Sequence, residues 1–400
     1  NLMEPLPSCG RMYTMDKKAA DSEIKMRYQY SVRVLKICVD AQDKVKEAAE
    51  ILKKLAEGGH VEAQRSLADF YSQGCYIEPD QAKAAYWYEE AAKRGSLKAA
   101  EALAGLYCCH APDGMSPEQA SELALKWHKR WFSMLEAKAE KGGIKEAEVL
   151  MNGYMYQPPA DMEGEQATAL ARKWYEKWIA LLRAKAKKGS IRAKKKLADV
   201  LYSGNGVPEE LLSEFSDEED DHSLEQSVEL YEQLAAQGDA EAYFSLGCAY
   251  DYFEAPEEDL KKSFAYFMKA AQMGYAQAYT CLGSAYFRGK GVEKDWIKAR
   301  EMYQIGAAMG NPFAKLQLAN CLKRGTGGEK DYSAAMTLYL QLAEHRNDDA
   351  LYELGDMYLK GLGVEADLQK AFDCFTKAAK HGNRAAGNAL NSKKFRDFKK

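Results

Sequence analysis

Apolar residues recur along this chain three and four positions apart, in runs a few helical turns long, divided by short polar stretches that carry glycine. The stretch Ala278-Tyr-Thr-Cys-Leu282-Gly283-Ser-Ala-Tyr286 shows the period, with Ala, Leu and Tyr falling four apart on one stripe of a helix. Gly283 within it lets a neighbour approach closely, at a cost to the helix of about 1 kcal/mol. Gly289-Lys290-Gly291-Val292 then breaks the helix and turns the chain. A second helix begins near Asp295, carries Ala299, Tyr303 and Ala307, and stops at Gly310, a residue suited to the left-handed position that closes a helix. Two such helices cannot bury their stripes alone, so neighbouring pairs must stack and share a core.

The phrase repeats. Glycine anchors stand at 59, 95, 143, 189, 238, 274, 310 and 382, and Arg346 holds the same place once. An alanine follows four positions later in each copy, from Ala63 to Ala386, and four further on stands Leu, or Met151 in one copy. The anchors are 36, 48, 46, 49, 36, 36, 36 and 36 residues apart. In the first two long units the extra residues extend the second helix, where Trp127 and Trp131, then Trp174 and Trp178, lie one turn apart as core pairs. In the third long unit they form the acidic loop 213–222, whose composition argues against fixed structure.

The order A-x-x-x-L-G-x-x-Y, then G-x-G-V, then Asp, K-A, an aromatic and A-A-x-x-G resembles the Sel-one-like repeat of the tetratricopeptide superfamily. The best copies run Ala242–Gly274, Ala278–Gly310 and Ala350–Gly382, with Gly361-Leu362-Gly363-Val364 as a clean turn. The resemblance implies an all-α fold, a right-handed α-solenoid of antiparallel helix pairs. Eight pairs, a leading helix over 43–57 and a trailing one over 384–391 make about eighteen helices. Residues 1–42 form an N-terminal extension, unstructured over 1–20. Over 21–39, Ile24, Tyr28, Val32, Leu35 and Val39 make a helical stripe; the alternation Tyr28, Tyr30, Val32, Val34 fits a strand, but no strand partner is near, so a capping helix is expected. The array spans 43–391, with longer units over 95–238 and regular 36-residue units after 238, and a polar tail over 392–400 caps the far end.

Composition narrows the function. A net charge of −4 gives no overall field for nucleic acid or an anionic membrane. No apolar run approaches the roughly 20 residues of a membrane span. No basic stretch followed by an apolar one opens the chain, which fits a cytoplasmic protein, or an exported one if a leader was removed before Asn1. The nine cysteines include no C-x-x-C pair and share no register among the repeats, so reduced thiols are expected. No two histidines pair at helical spacing, and the adjacent Cys108, Cys109 and His110 cannot readily face one metal. The glycines at 289/291 and 361/363 lack the lysine of a phosphate loop, and no nucleophile elbow is present. The expectation is a protein that is not an enzyme, with no catalytic residue, cofactor or metal.

Arg183, Lys185, Lys187, Lys188, Arg192, Lys194, Lys195 and Lys196 form a basic cluster in the same unit as the acidic loop. They read as two solvated charge runs, or as a loop that folds over the cluster until an acidic partner displaces it; no aromatic platform interleaves them as RNA binding would need. Tetratricopeptide arrays bind proteins and peptides in a concave groove lined by the first helix of each pair. Carried onto this register, the groove takes Phe244, Cys248, Asp251 and Tyr252, then Thr280, Ser284, Phe287 and Arg288. Leu316, Asn320, Lys323 and Arg324 follow, then Tyr352, Asp356, Leu359 and Lys360. The strongest candidates are Phe244, Tyr252, Phe287, Arg288, Asn320, Lys323, Arg324, Tyr352 and Asp356, an aromatic and charged mixture that suits a protein interface. Equally, the aromatic residues among them pad neighbouring helices. A carboxylate clamp is incomplete, because Ser284 and Asp356 stand where Asn320 has an amide. The expected role is a scaffold or adaptor for a protein or peptide partner; an immunity-type inhibitor that occludes a toxin or enzyme is the alternative. Neither nucleic acid nor membrane nor a small-molecule ligand is expected as partner.

Overall fold

The computed structural model describes residues 17–37, 42–74, 78–204, 206–208, 211, 221–252, 254–392 and 394–395. The described residues form nineteen α-helices and no strand, in two compact units, residues 1–181 and 182–400. The first unit holds α1 (Lys17–Ile37), α2 (Gln42–Glu57), α3 (Val61–Gln73), α4 (Gln81–Lys93), α5 (Leu97–Cys109), α6 (Pro117–Glu140), α7 (Ile144–Tyr156) and most of α8 (Gly164–Lys187), within which the division falls. The second continues with α9 (Ile191–Ser203), α10 (Asp221–Ala235), α11 (Ala240–Tyr250), α12 (Glu257–Gln272) and α13 (Ala276–Arg288). It ends with α14 (Trp296–Ala308), α15 (Pro312–Arg324), α16 (Tyr332–Glu344), α17 (Asp348–Lys360), α18 (Leu368–Lys380) and α19 (Arg384–Leu390). From α1 to α7, and again from α9 to α19, each helix packs on the next, so each unit is an α-solenoid of helix pairs.

The boundaries follow from the anchor glycines. Gly59, Gly95, Gly189, Gly238, Gly274, Gly310 and Gly382 all take the left-handed backbone, with φ of +84 to +102. In most copies the next residue caps the following helix. His60, Ser96, Ser190, Asp239, Asn311, Asn347 and Asn383 each accept a hydrogen bond from the N–H of the repeat alanine. One anchor shifts. Gly143 has φ −73 and is itself the N-cap of α7, while Gly142 at φ +95 takes the left-handed place.

Long α6 and α8 span 24 residues against 13 in most of the others. Their tryptophans are buried, Trp127 and Trp131 each 8% exposed, Trp174 1% and Trp178 0%. From helix α1, Tyr28, Tyr30 and Val32 pack on the core of Ala48, Leu52, Ala63 and Leu67, and the Tyr28 and Ser66 hydroxyls lie 3.0 Å apart. The side chains of Leu35 and Val39, residues 1–16 and the acidic loop over 212–220 lie outside the described residues. Within the described part of the last segment one aromatic ring is packed inward. Phe395 is fully buried, its ring 5.7 Å from Phe372 and 5.8 Å from Phe375.

Candidate functional site: the open face of the regular helix pairs

In three of the four regular pairs, an aromatic ring of the second helix packs closely on a glycine of the first. Phe267, Tyr303 and Phe375 cover Gly247, Gly283 and Gly355, and a Cβ added at those glycines would fall 2.5, 2.5 and 2.7 Å from a ring carbon. No side chain fits between the two helices there. The close approach assigned to Gly283 from the sequence is thus made by a ring of its own pair.

That ring also decides what the next residue on the first helix does. Tyr88, Tyr231 and Tyr339 donate their buried hydroxyls to Asp69 (2.7 Å), Asp199 (2.9 Å) and Asn320 (2.7 Å), and the Tyr303 hydroxyl lies 3.2 Å from that of Ser284. Each acceptor stands six positions after its repeat alanine. Where the ring is phenylalanine there is no hydroxyl to satisfy, and the same place holds Cys248 or Asp356. Burial raises the tyrosine pKa values above the usual range and keeps these hydroxyls donors. Burial likewise pushes Cys248 up to about 11 and Cys281 to about 12. This pairing is written in the sequence as Tyr with Asp, Asn or Ser at matching places, a signal the register reading passed over.

The predicted groove residues therefore divide. Asn320 is held by Tyr339, although its amide still borders the open face. Lys323 is only 11% exposed and is bonded at 2.6 Å to both Glu353 and Asp356, and Asp356 at 2.6 Å also to Lys360. Burial opposes the charges of this cluster, yet the paired groups win, holding the Asp356 carboxyl below and the Lys323 ammonium above their ordinary values. Phe244 is half-buried between Phe267 (5.6 Å) and Tyr275 (5.0 Å), and Tyr352 rests on Phe375 (5.6 Å). Leu316, expected on the open face, is 7% exposed, because α15 is buried on more sides than its stripe alone requires.

Of the nine strongest candidates, four remain outward: Tyr252, Phe287, Arg288 and Arg324. Tyr252 is 46% exposed and touches Asp259 at 3.1 Å; Phe287 is 36% exposed, 6.5 Å from the half-exposed ring of Trp296. Arg288 lines two adjoining hollows, of about 220 and 110 Å³, and Arg324 lines the smaller. The basic cluster behaves differently. Arg183 reaches Gln226 at 3.3 Å and Lys194 reaches Gln233 at 2.9 Å, around a hollow of about 370 Å³, and Lys195 pairs with Glu241. Cys108 and Cys109 are exposed and free at the end of α5. Among the described residues no helix is long and apolar enough to cross a membrane.

Solved structures with a similar trace include a Sel1 repeat protein from Oxalobacter formigenes, 22% identical, covering 93% of this chain and 87% of that one, with a TM-score of 0.45. A protective antigen of uropathogenic Escherichia coli is 22% identical over 94% of this chain and 90% of that one, TM-score 0.38. An immunity protein from Pseudomonas aeruginosa is 20% identical over 62% of this chain and 81% of that one, TM-score 0.28. No curated protein matches the chain. The Sel1 repeat family matches at residues 61–96, 97–134, 153–181, 221–239, 240–275, 276–311, 312–347 and 348–383. With well over half its length taken up by these copies, the chain belongs to the Sel1 repeat family.

Proposed function

We propose that this protein is an interaction scaffold that holds a protein or peptide partner on the open face of α11, α13, α15 and α17. The observation that carries the reading is the division just described. Most polar groups on this face are used inside the fold, whereas Phe287, Arg288 and Arg324 are exposed without serving it. Exposed aromatic and arginine side chains next to each other are what interface hot spots are made of.

Affinity purification from the source cells tests it, with the wild type set against a Tyr252→Ala, Phe287→Ala, Arg288→Ala, Arg324→Ala variant. Partners captured by the wild type should be lost with the variant at an unchanged melting temperature. Equal capture by both would remove the face from consideration. A single enzyme recovered in one-to-one ratio would turn the same surface into an inhibitor's.

A further inference from the structure

We infer that the hollow bordered by the last turns of α8, by α9 and by α10 is a second docking site, and that it receives an aromatic side chain of a partner protein with an Asp or Glu next to it. The site lies off the open face. Its α9 residues, Lys194, Leu197 and Leu201, stand one, four and eight positions after Ala193, whereas the open face takes the second, sixth, ninth and tenth. All its lining residues belong to the second unit.

The next helix pair shows what this place holds when it is filled. Tyr250 stands eight positions after its repeat alanine and Tyr266 eight before its closing glycine, and their rings stack with centres 5.8 Å apart and planes 17° apart. Tyr243, one position after the alanine, lies 6.4 Å from Tyr266. One pair earlier the same three places are Leu201, Leu230 and Lys194. Two leucines and a lysine thus stand where the next pair has three rings, and a hollow of about 370 Å³ results. Its apolar walls are Ala186 and Leu197, both buried, and Leu201 and Leu230, half-buried. An aromatic side chain suits such a space, because it brings a large rigid apolar area at little conformational cost.

The charges point the same way. In the filled pair Lys262 and Lys269 stand over the Tyr250 and Tyr266 rings, 5.3 and 5.6 Å from their centres. The matching residues of α10 are Gln226 and Gln233. They accept instead from Arg183 and Lys194, which line the hollow together with Lys187. Cations are therefore held at the rim by neutral amides, with no ring beneath them. The acidic side chain on the lining is Glu229, which accepts from Gln233 at 3.3 Å. Three cations against one carboxylate favour an acidic neighbour for the incoming ring, and a cation within about 6 Å of its face adds cation–π attraction.

The test is to pan a display library of random linear twelve-residue peptides on the immobilised full chain, with counter-selection on a Leu201→Tyr, Leu230→Tyr variant that copies the rings of the next pair into the hollow. Should that variant not fold, an Arg183→Gln, Lys187→Gln variant takes its place; both of those side chains are exposed, and the melting temperature should stay that of the wild type. Peptides kept by the wild type and rejected by the filled variant should carry Phe, Tyr or Trp beside Asp or Glu. Resynthesised, they should bind about tenfold or more weaker once the aromatic residue is replaced by alanine. They should also weaken with the Arg183→Gln, Lys187→Gln variant and with added salt. The Tyr252→Ala, Phe287→Ala, Arg288→Ala, Arg324→Ala variant should bind them as the wild type does, which separates this site from the open face. Selected peptides without an aromatic residue, equal binding by the filled variant, loss with the open-face variant, or a library that yields no binder would each overturn the docking site.

Discussion

A glycine in the middle of a helix normally weakens it, so replacing one by alanine should stabilise. Here the sign depends on the ring opposite. Gly105 in α5 faces open space, and Gly105→Ala should raise stability by up to about 1 kcal/mol. Gly283 lies under Tyr303, and Gly283→Ala should lower it by about 1–3 kcal/mol through overpacking. Thermal melting of the two variants checks both signs. Arg346 is the converse case. It holds the anchor place at φ +58, where a side chain costs about 1–2 kcal/mol and glycine little. Arg346→Gly should therefore raise the melting temperature, less whatever glycine adds to the freedom of the unfolded chain; an unchanged or lower value would mean that the arginine side chain makes up the strain. Gly anchors were legible from spacing alone. Which glycines are needed for room rather than for backbone freedom was not, because that depends on a ring 20 residues away.

Between helices the polar links are few enough to predict from. Lys323 on α15 ties Glu353 and Asp356 of α17 across adjacent pairs. Lys323→Ala leaves two largely buried carboxylates facing each other and should cost about 1–3 kcal/mol. The pH dependence follows from the shifts. Asp356 titrates below its ordinary value, so its contribution is complete above the unfolded carboxyl pKa, about 4, and is lost as pH falls through the folded value. Lys323 titrates above its ordinary value, so its contribution holds up to the unfolded lysine pKa and is lost as pH rises through the folded one. Asp356→Asn should thus destabilise at pH 6 and much less at pH 3, and an equal loss at both would show that the ion pair contributes nothing. The same linkage removes Lys323 and Asp356 from the list of residues a partner can reach, something no helical register reveals, since the pairing crosses 33 positions of sequence.

At the scale of the molecule, stability should be a sum over neighbouring pairs. A fragment of residues 239–400 retains the cores built around Phe267 and Leu282, around Tyr303 and Tyr339, and around Phe375 and Phe395. It loses the contacts of Ala242 and Leu246 with Ala198, Tyr231 and Leu234, and the Lys195–Glu241 ion pair. It should give a helical circular-dichroism spectrum and a cooperative melt at a lower temperature than the whole chain. A random-coil spectrum would show that the regular pairs depend on the units before them. Truncating before Phe395 should be worse than its position near the terminus suggests, because that ring closes the last core.

The sequence by itself determined the helices, their pairing and their family, because those depend on local quantities: the 3.6-residue period, a residue that accepts φ above zero, and a phrase repeated often enough to fix its register. It also fixed the burial of the four tryptophans and the length of α6 and α8. Only the tertiary structure decided which outward-looking positions are free. Phe244, Asn320, Lys323, Tyr352 and Asp356 share a face with Phe287, Arg288 and Arg324 in the repeat register, but the first five are held by rings and charges from other helices, whereas the last three stay exposed, Phe287 beside the half-exposed Trp296. A helix stripe says which way a side chain leaves the backbone; whether a partner from elsewhere in the chain already waits there is a property of three dimensions.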